Sequence, residues 1–230
     1  MHNTDMSEPE SDAVLGRRAQ LLATEHWGLL AARSTAQSEV LTRITIFLTL
    51  VSAGLVTIGL LGQASGFRGW FGGASLAILA FLSLIGFMTQ VRVMNVSEED
   101  MMYVVAMNRI RGAYVDLDPQ VADVFLASPY DDQPGMKLTY SFLRRRSVSI
   151  LLGSSVMLLI VVNACVVGLL AGSAVVAAGG GFGAATVVGI AAGALLAAGF
   201  MVFGGVGFRT AWRHHVPRKT TPGEPHPSLR

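Results

Sequence analysis

NVSEEDMMYVVAMNRIRGAYVDLDPQVADVFLASPYDDQPGMKLTYSFLRRR, from Asn95 to Arg146, is the one long polar interval in a 230-residue chain. Charge nearly vanishes on both sides of it. Between Arg43 and Arg92 the only charged side chain is Arg68, and between Arg146 and Arg209 there is none. Each apolar half has room for two helices of the ~20 residues needed to cross ~30 Å of hydrocarbon. The interval therefore ties two pairs of spans together on one side of a bilayer. The composition agrees: 14% of residues are charged and 52% hydrophobic, whereas soluble chains are about 25% charged.

The expected fold is an all-α integral membrane protein. It has four transmembrane helices as two hairpins, a cytoplasmic helical segment between them and an N-terminal juxtamembrane helix. Residues 1–40 form a polar tail and an amphipathic helix, and no proline interrupts the chain between Pro9 and Pro119. Residues 41–94 form the first hairpin, with spans at 41–61 and 70–91. Residues 95–146 form the cap, and residues 147–208 the second hairpin, with spans at 148–170 and 184–208. Residues 209–230 read as a disordered basic tail. Asp5, Glu8, Glu10 and Asp12 without a basic residue do not make a secretory signal, so the first span is expected to stay in place as an anchor.

Working outward through the cap, Ser97 and Asp100 have capping-box spacing, which predicts a helix start near Glu98 and a helix to about Val115. Asp116–Pro119 should break it, because the residue before a proline is pushed out of helical geometry. Pro119 then suits the first turn of a short helix to about Ala127, capped by Asp118. Residues 128–137, rich in Pro, Asp and Gly, read as a loop in which Asp131 and Asp132 are solvated.

The polar residues within the spans are few. Thr42, Thr45, Thr49 and Ser52 recur at threes and fours and share one helix face. They fit a helix–helix contact or, read more sharply, a hydroxyl-lined conduit with Asn163 of the third span. Gly189 and Gly193 form a small-xxx-small pair, extended by Ala185 and Ala197, where backbones can approach closely within the bundle or between subunits. The sole cysteine, Cys165, excludes an internal disulfide.

Orientation follows from Lys and Arg near the span ends. The outer turns hold only Arg68, so both termini and the cap are expected in the cytoplasm, with the protein multi-pass in the inner (plasma) membrane. Arg144, Arg145 and Arg146 abut the third span and suit anionic lipid headgroups, at roughly 1 kcal/mol per basic residue. No carboxylate falls in a span, which argues against proton- or cation-coupled transport. No arrangement of acid, base or nucleophile supports an enzyme, and no cofactor is implied. His214, His215 and His226 have no partner carboxylate or Cys, so no metal site is expected. A net charge of +2 without a basic, aromatic-interleaved patch does not point to nucleic acid. Arg109, Arg111 and Tyr114 with Asp116 and Asp118 are the candidate binding residues of the cap. They make either an internal Arg–Asp network or a recognition site for a cytoplasmic protein or a small anionic ligand.

The run from Asn108 to Tyr114, continued by Asp118–Pro119, resembles a pattern in uncharacterised multi-span membrane proteins of high-GC Gram-positive bacteria. The long juxtamembrane helix, first hairpin and helical segment are also loosely similar to SLATT-type membrane effectors, from which the second hairpin departs. The first resemblance implies no activity; the second implies a pore-forming effector. The reading as a whole is a non-enzymatic structural or interaction protein that assembles as a homo-oligomer, with an ion channel or pore-forming effector as the alternative.

Overall fold

A computed structural model describes residues 11–141 and 153–223. Five α-helices account for most of them: α1 Asp12–Ser65, α2 Phe71–Leu117, α3 Gln133–Tyr140, α4 Ser155–Ala177 and α5 Phe182–His214, with a 3₁₀ helix at Pro119–Val124. No strand occurs among the described residues. Four helices, α1, α2, α4 and α5, are long and apolar enough to cross a membrane. Arg144, Arg145 and Arg146, the first residues of the expected third span, His226 and residues 1–10 lie outside the described residues.

Several boundaries differ from expectation. The 47-residue α2 runs straight through the expected restart at Glu98. No Gly or Pro lies between Gly86 and Gly112 to break it, and the Ser97 hydroxyl donates to the Val93 carbonyl one turn back, as inside any helix. The break before Pro119 stands as expected, with Asp118 accepting from the Gln120 N–H at 3.0 Å, but the short helix is 3₁₀ and stops at Val124. The expected 128–137 loop holds α3, whose N-cap is Asp132 and whose second residue is Pro134. Residues 171–177, expected in a turn, continue α4. The helix then ends at Gly179 (φ 84°), with Gly180 N–H donating to the Val175 carbonyl and Gly179 N–H to that of Val176. Gly66 (φ 61°) closes α1 in the same way, with Phe67 N–H on the Gly62 carbonyl. Both ends are Schellman motifs, in which glycine takes the left-handed position without a Cβ penalty.

The chain divides into two compact units: 35–100 with 146–214, and 1–34 with 101–145 and 215–230. The first is the apolar one. Its α1 and α2 segments pack on each other, with the Leu82 side chain over Gly54 and the Phe47 ring against Gly86. Val40, Ile44, Phe47, Val93, Val96 and Leu159 make one buried cluster from α1, α2 and α4, and Met94, Ile160 and Phe200 another from α2, α4 and α5. α4 and α5 meet through their backbones. A Cβ on Gly189 would stand 2.7 Å from the Gly168 carbonyl oxygen, and one on Gly193 2.6 Å from that of Ala164. The small-xxx-small face of the fourth span is thus occupied within the chain. Its outer surface is apolar: Phe81, Leu84, Ile190, Leu195, Val202 and Phe203 are exposed, and only 17–22% of each apolar window is buried. Such a surface is compatible with lipid, where no hydrophobic force drives helices together.

At the polar edge of this unit Glu39 accepts from Arg92 Nη2 at 2.9 Å and from Arg43 Nε at 2.8 Å, while Arg92 also reaches Glu99 at 3.0 Å. Those bonds, from Arg92 first and Arg43 next, hold the Glu39 carboxyl down at about 2.

Candidate functional site

The second unit carries most of the polar side chains singled out in the sequence, and its centre is Asp131. Expected to be solvated, Asp131 is fully buried, and Asp132 is 7% exposed. The correction has a physical cause: the segment after α5 lies on them. The Asp131 carboxylate accepts from Lys219 N–H at 2.7 Å, Arg218 N–H at 3.0 Å and Arg109 Nε at 2.7 Å. Its own N–H donates to the Lys219 carbonyl, and its carbonyl meets His215 Nε2 at 2.6 Å. Asp132 caps α3 through Gly135 N–H and also accepts from Thr221 N–H at 2.6 Å and Thr221 Oγ1 at 2.8 Å. The residues expected to be a disordered tail are, as far as Thr221, a strap clasped by two carboxylates. Burial alone would push the Asp131 carboxyl up. The N–H groups of Arg218 and Lys219 and the Arg109 guanidinium outweigh it and hold the group below its ordinary value.

Arg109, Arg111, Tyr114, Asp116 and Asp118 do not converge. Arg109 joins the strap, adding a bond from Nη2 to the Val216 carbonyl at 3.0 Å. Asp116 takes Lys219 Nζ at 2.5 Å, and the same ammonium donates to the Gly112 carbonyl at 2.8 Å. Gly112 has no room for a Cβ, which would stand 2.7 Å from the Pro129 carbonyl oxygen. Asp118 serves the 3₁₀ helix, and Tyr114 packs edge-on against Phe125, ring centroids 6.5 Å apart.

Arg111 faces differently from Arg109. Its Nη1 donates to Asn108 Oδ1 at 2.7 Å, an oxygen that also accepts from Thr139 Oγ1 at 2.9 Å. Asn108 is fully buried and donates from Nδ2 to the Tyr130 carbonyl at 3.0 Å. Next to Thr139, the Tyr140 ring lies 6.0 Å from the Arg33 guanidinium. His26, two helical turns before Arg33 on α1, has an enclosed Nδ1 with no hydrogen-bond partner. Sequence reading missed Asp131, Asp132, Lys219, Thr221, Asn108 and His26. The one available signal was Asp132-Gln-Pro-Gly, a cap followed by proline in the first turn.

The apolar unit contains a separate polar node. Asn163 Nδ2 donates to the Gly86 carbonyl at 3.1 Å and to Gln90 Oε1 at 3.3 Å, and Gln90 Nε2 reaches the Val156 carbonyl at 3.5 Å. Asn163 is 1% exposed. Beside it a pocket of about 260 Å³ is lined by Ser83, Leu84, Phe87, Asn163, Val167, Leu196 and Phe200. Thr45, Thr49 and Ser52 are elsewhere. All three are exposed on α1, with the threonine hydroxyls donating to the carbonyls of Leu41 and Thr45. Within one chain these residues and Asn163 do not face a common conduit.

No family model matches the chain, and no curated protein or solved structure matches it either.

Proposed function

We propose that this chain is a non-enzymatic membrane protein of the interaction type. It assembles with copies of itself in the inner membrane of a bacterium and recognises a cytoplasmic protein or anion through its polar cap. Its spans thread as two hairpins, with the cap and both termini in the cytoplasm, since Arg68 is the only basic residue between the first two spans.

The observation that carries self-association is the exposed face of α1. Thr42, Thr45, Thr49, Ser52, Val56 and Gly59 follow one another at alternating threes and fours, and every one is exposed. That spacing keeps a seam on one side of a helix, and small side chains let a second backbone approach. With Gly189 and Gly193 occupied inside the chain, the contact between copies moves from the fourth span to the first.

Disulfide capture tests it. In a Cys165→Ala background, Ser52→Cys should yield a cross-linked dimer in native membranes, whereas Phe81→Cys, exposed on α2, should not. Equal yields at both positions, or none at Ser52→Cys, would sink the α1 interface. The alternative, a pore, draws on the same seam, because hydroxyls turned toward a central axis would line a conduit. Proteoliposomes decide between them. An ion leak that Ser52→Leu abolishes favours the pore, and tight vesicles around an assembled protein favour the interaction role.

A further inference from the structure

Arg111 is an anomaly of the cap. Its side chain is half-buried, yet among the described residues its only hydrogen bond goes to a neutral amide oxygen, Asn108 Oδ1. A charge withdrawn from water costs free energy unless it is paired. Four carboxylates of the cap are engaged elsewhere, Asp116 with Lys219, Asp118 with Gln120, Asp131 with Arg109 and the strap, and Asp132 with Gly135 and Thr221, while Asp123 and Glu25 are exposed to solvent. His26 shows the same imbalance from α1, with a buried Nδ1 that has no partner. No carboxylate among the described residues is bonded to either group.

The two belong to one locality. Asn108 Oδ1 gathers Arg111 from α2 and Thr139 from α3, and the neighbouring Tyr140 holds the Arg33 guanidinium over its ring. Arg33 lies seven residues after His26, on the same face of α1. Burial lowers the proton affinity of both His26 and Arg111. The charge of Arg111 lowers it further at His26, and that of Arg33 at Arg111. Two side chains that can carry positive charge, one of them with an unpartnered ring nitrogen, are therefore half-buried in the cap.

Resting on the cap's proposed role in anion recognition, we propose that His26 and Arg111 form the binding site for a phosphate-type oxyanion, with Arg33 adding to its positive field. A guanidinium has five N–H donors in a planar fork that suits phosphate oxygens. One of them is used on Asn108, and the guanidinium makes no other hydrogen bond among the described residues. His26 in its charged form adds a donor and a second positive charge. The chemistry is shared by a soluble phosphate compound and a phospholipid headgroup.

The test uses the full chain in nanodiscs and reads the imidazole resonances of His26, assigned with His26→Gln. Inorganic phosphate is titrated against nanodiscs of phosphatidylcholine. In parallel, nanodiscs containing phosphatidic acid are measured without phosphate. A saturable shift in the first arm, with the His26 pKa raised, assigns a soluble anion. A shift in the second arm alone assigns a headgroup. In either arm, Arg111→Gln should weaken the response at least tenfold, with helix content unchanged by circular dichroism, while Lys137→Gln, an exposed cation of the same cap, should leave it intact. Absence of a shift in both arms for the unaltered chain overturns the site, as does an equal loss with Lys137→Gln. Because the unaltered chain is read directly, a misfolded variant does not rescue the idea. Capture at Ser52→Cys is independent of phosphate, so failure here with dimer retained removes the anion site and leaves the assembly standing.

Discussion

Single side chains decide how the cap holds together. Asp131 is buried with three donors on its carboxylate, so Asp131→Asn removes the negative charge and leaves the Arg109 guanidinium without its carboxylate. Breaking a buried pair costs about 3–5 kcal/mol. Arg109 is 45% exposed, which reduces the expected loss to about 2 kcal/mol. The measurable outcome is selective: the strap from His215 to Thr221 becomes sensitive to limited proteolysis in the variant while the spans stay protected. Acid should act in the same direction. A carboxyl held below its unfolded value contributes stability above that value and loses it as pH falls through the folded one. For Asp131 the loss begins below 3.8. His26, lowered from 6.5, adds an earlier loss as pH falls below that value, because its neutral form is the one the folded cap prefers. Cleavage of the strap against pH should therefore show two steps, and His26→Gln should remove the upper one. A single step in the unaltered chain, unchanged in that variant, would refute the assignment.

At the scale of helices, glycine and one amide set the packing of the apolar unit. Gly189→Leu drives a side chain into the Gly168 carbonyl, and Gly193→Leu does the same at Ala164. Overpacking a tight contact costs about 1–3 kcal/mol, so each should lower the detergent-denaturation midpoint, and both together should separate α4 from α5. The dimer captured at Ser52→Cys should persist in either single variant that still folds. Asn163→Leu removes the donor to Gly86 and Gln90. Hydrogen bonds between membrane helices average ~0.6 kcal/mol in measured cases, so a midpoint shift of about 1 kcal/mol or less is expected. A much larger fall would mean that Asn163 holds more than these two partners.

At the scale of the whole molecule, topology is the testable quantity. A membrane-impermeant thiol reagent applied to intact cells should label Arg68→Cys, and it should label Lys137→Cys only after permeabilisation, both in a Cys165→Ala background. The reverse pattern would invert the proposed orientation and place the cap, with the oxyanion site proposed for it, outside the cytoplasm.

How much of this was legible is best seen in particular residues. The absence of charge between Arg43 and Arg92, save Arg68, and between Arg146 and Arg209 is enough to mark four apolar helices, because burying charge in hydrocarbon is costly wherever the helices sit. Pro119 ends α2 through local sterics, and Asp118 caps the 3₁₀ helix beyond it, so both were readable from a few neighbouring residues. The restart at Glu98 was a misreading of the same kind of signal: Ser97 and Asp100 have capping spacing, yet a cap acts only where the chain leaves the helix, and nothing there makes it leave.

The sequence by itself determined the four apolar helices and the stop at Pro119, since a run without charge and the sterics of a proline depend on groups near one another in the chain. Tertiary structure alone decided the fate of Asp131 and Asp132, whose partners Lys219 and Thr221 lie more than 80 residues away. It also decided that Gly189 and Gly193 face Gly168 and Ala164 rather than another copy, and that Arg111 has its charge half out of water with only an amide to meet it. A side chain's type fixes what it can bond to. Which partner it finds depends on the distant segments that folding brings beside it.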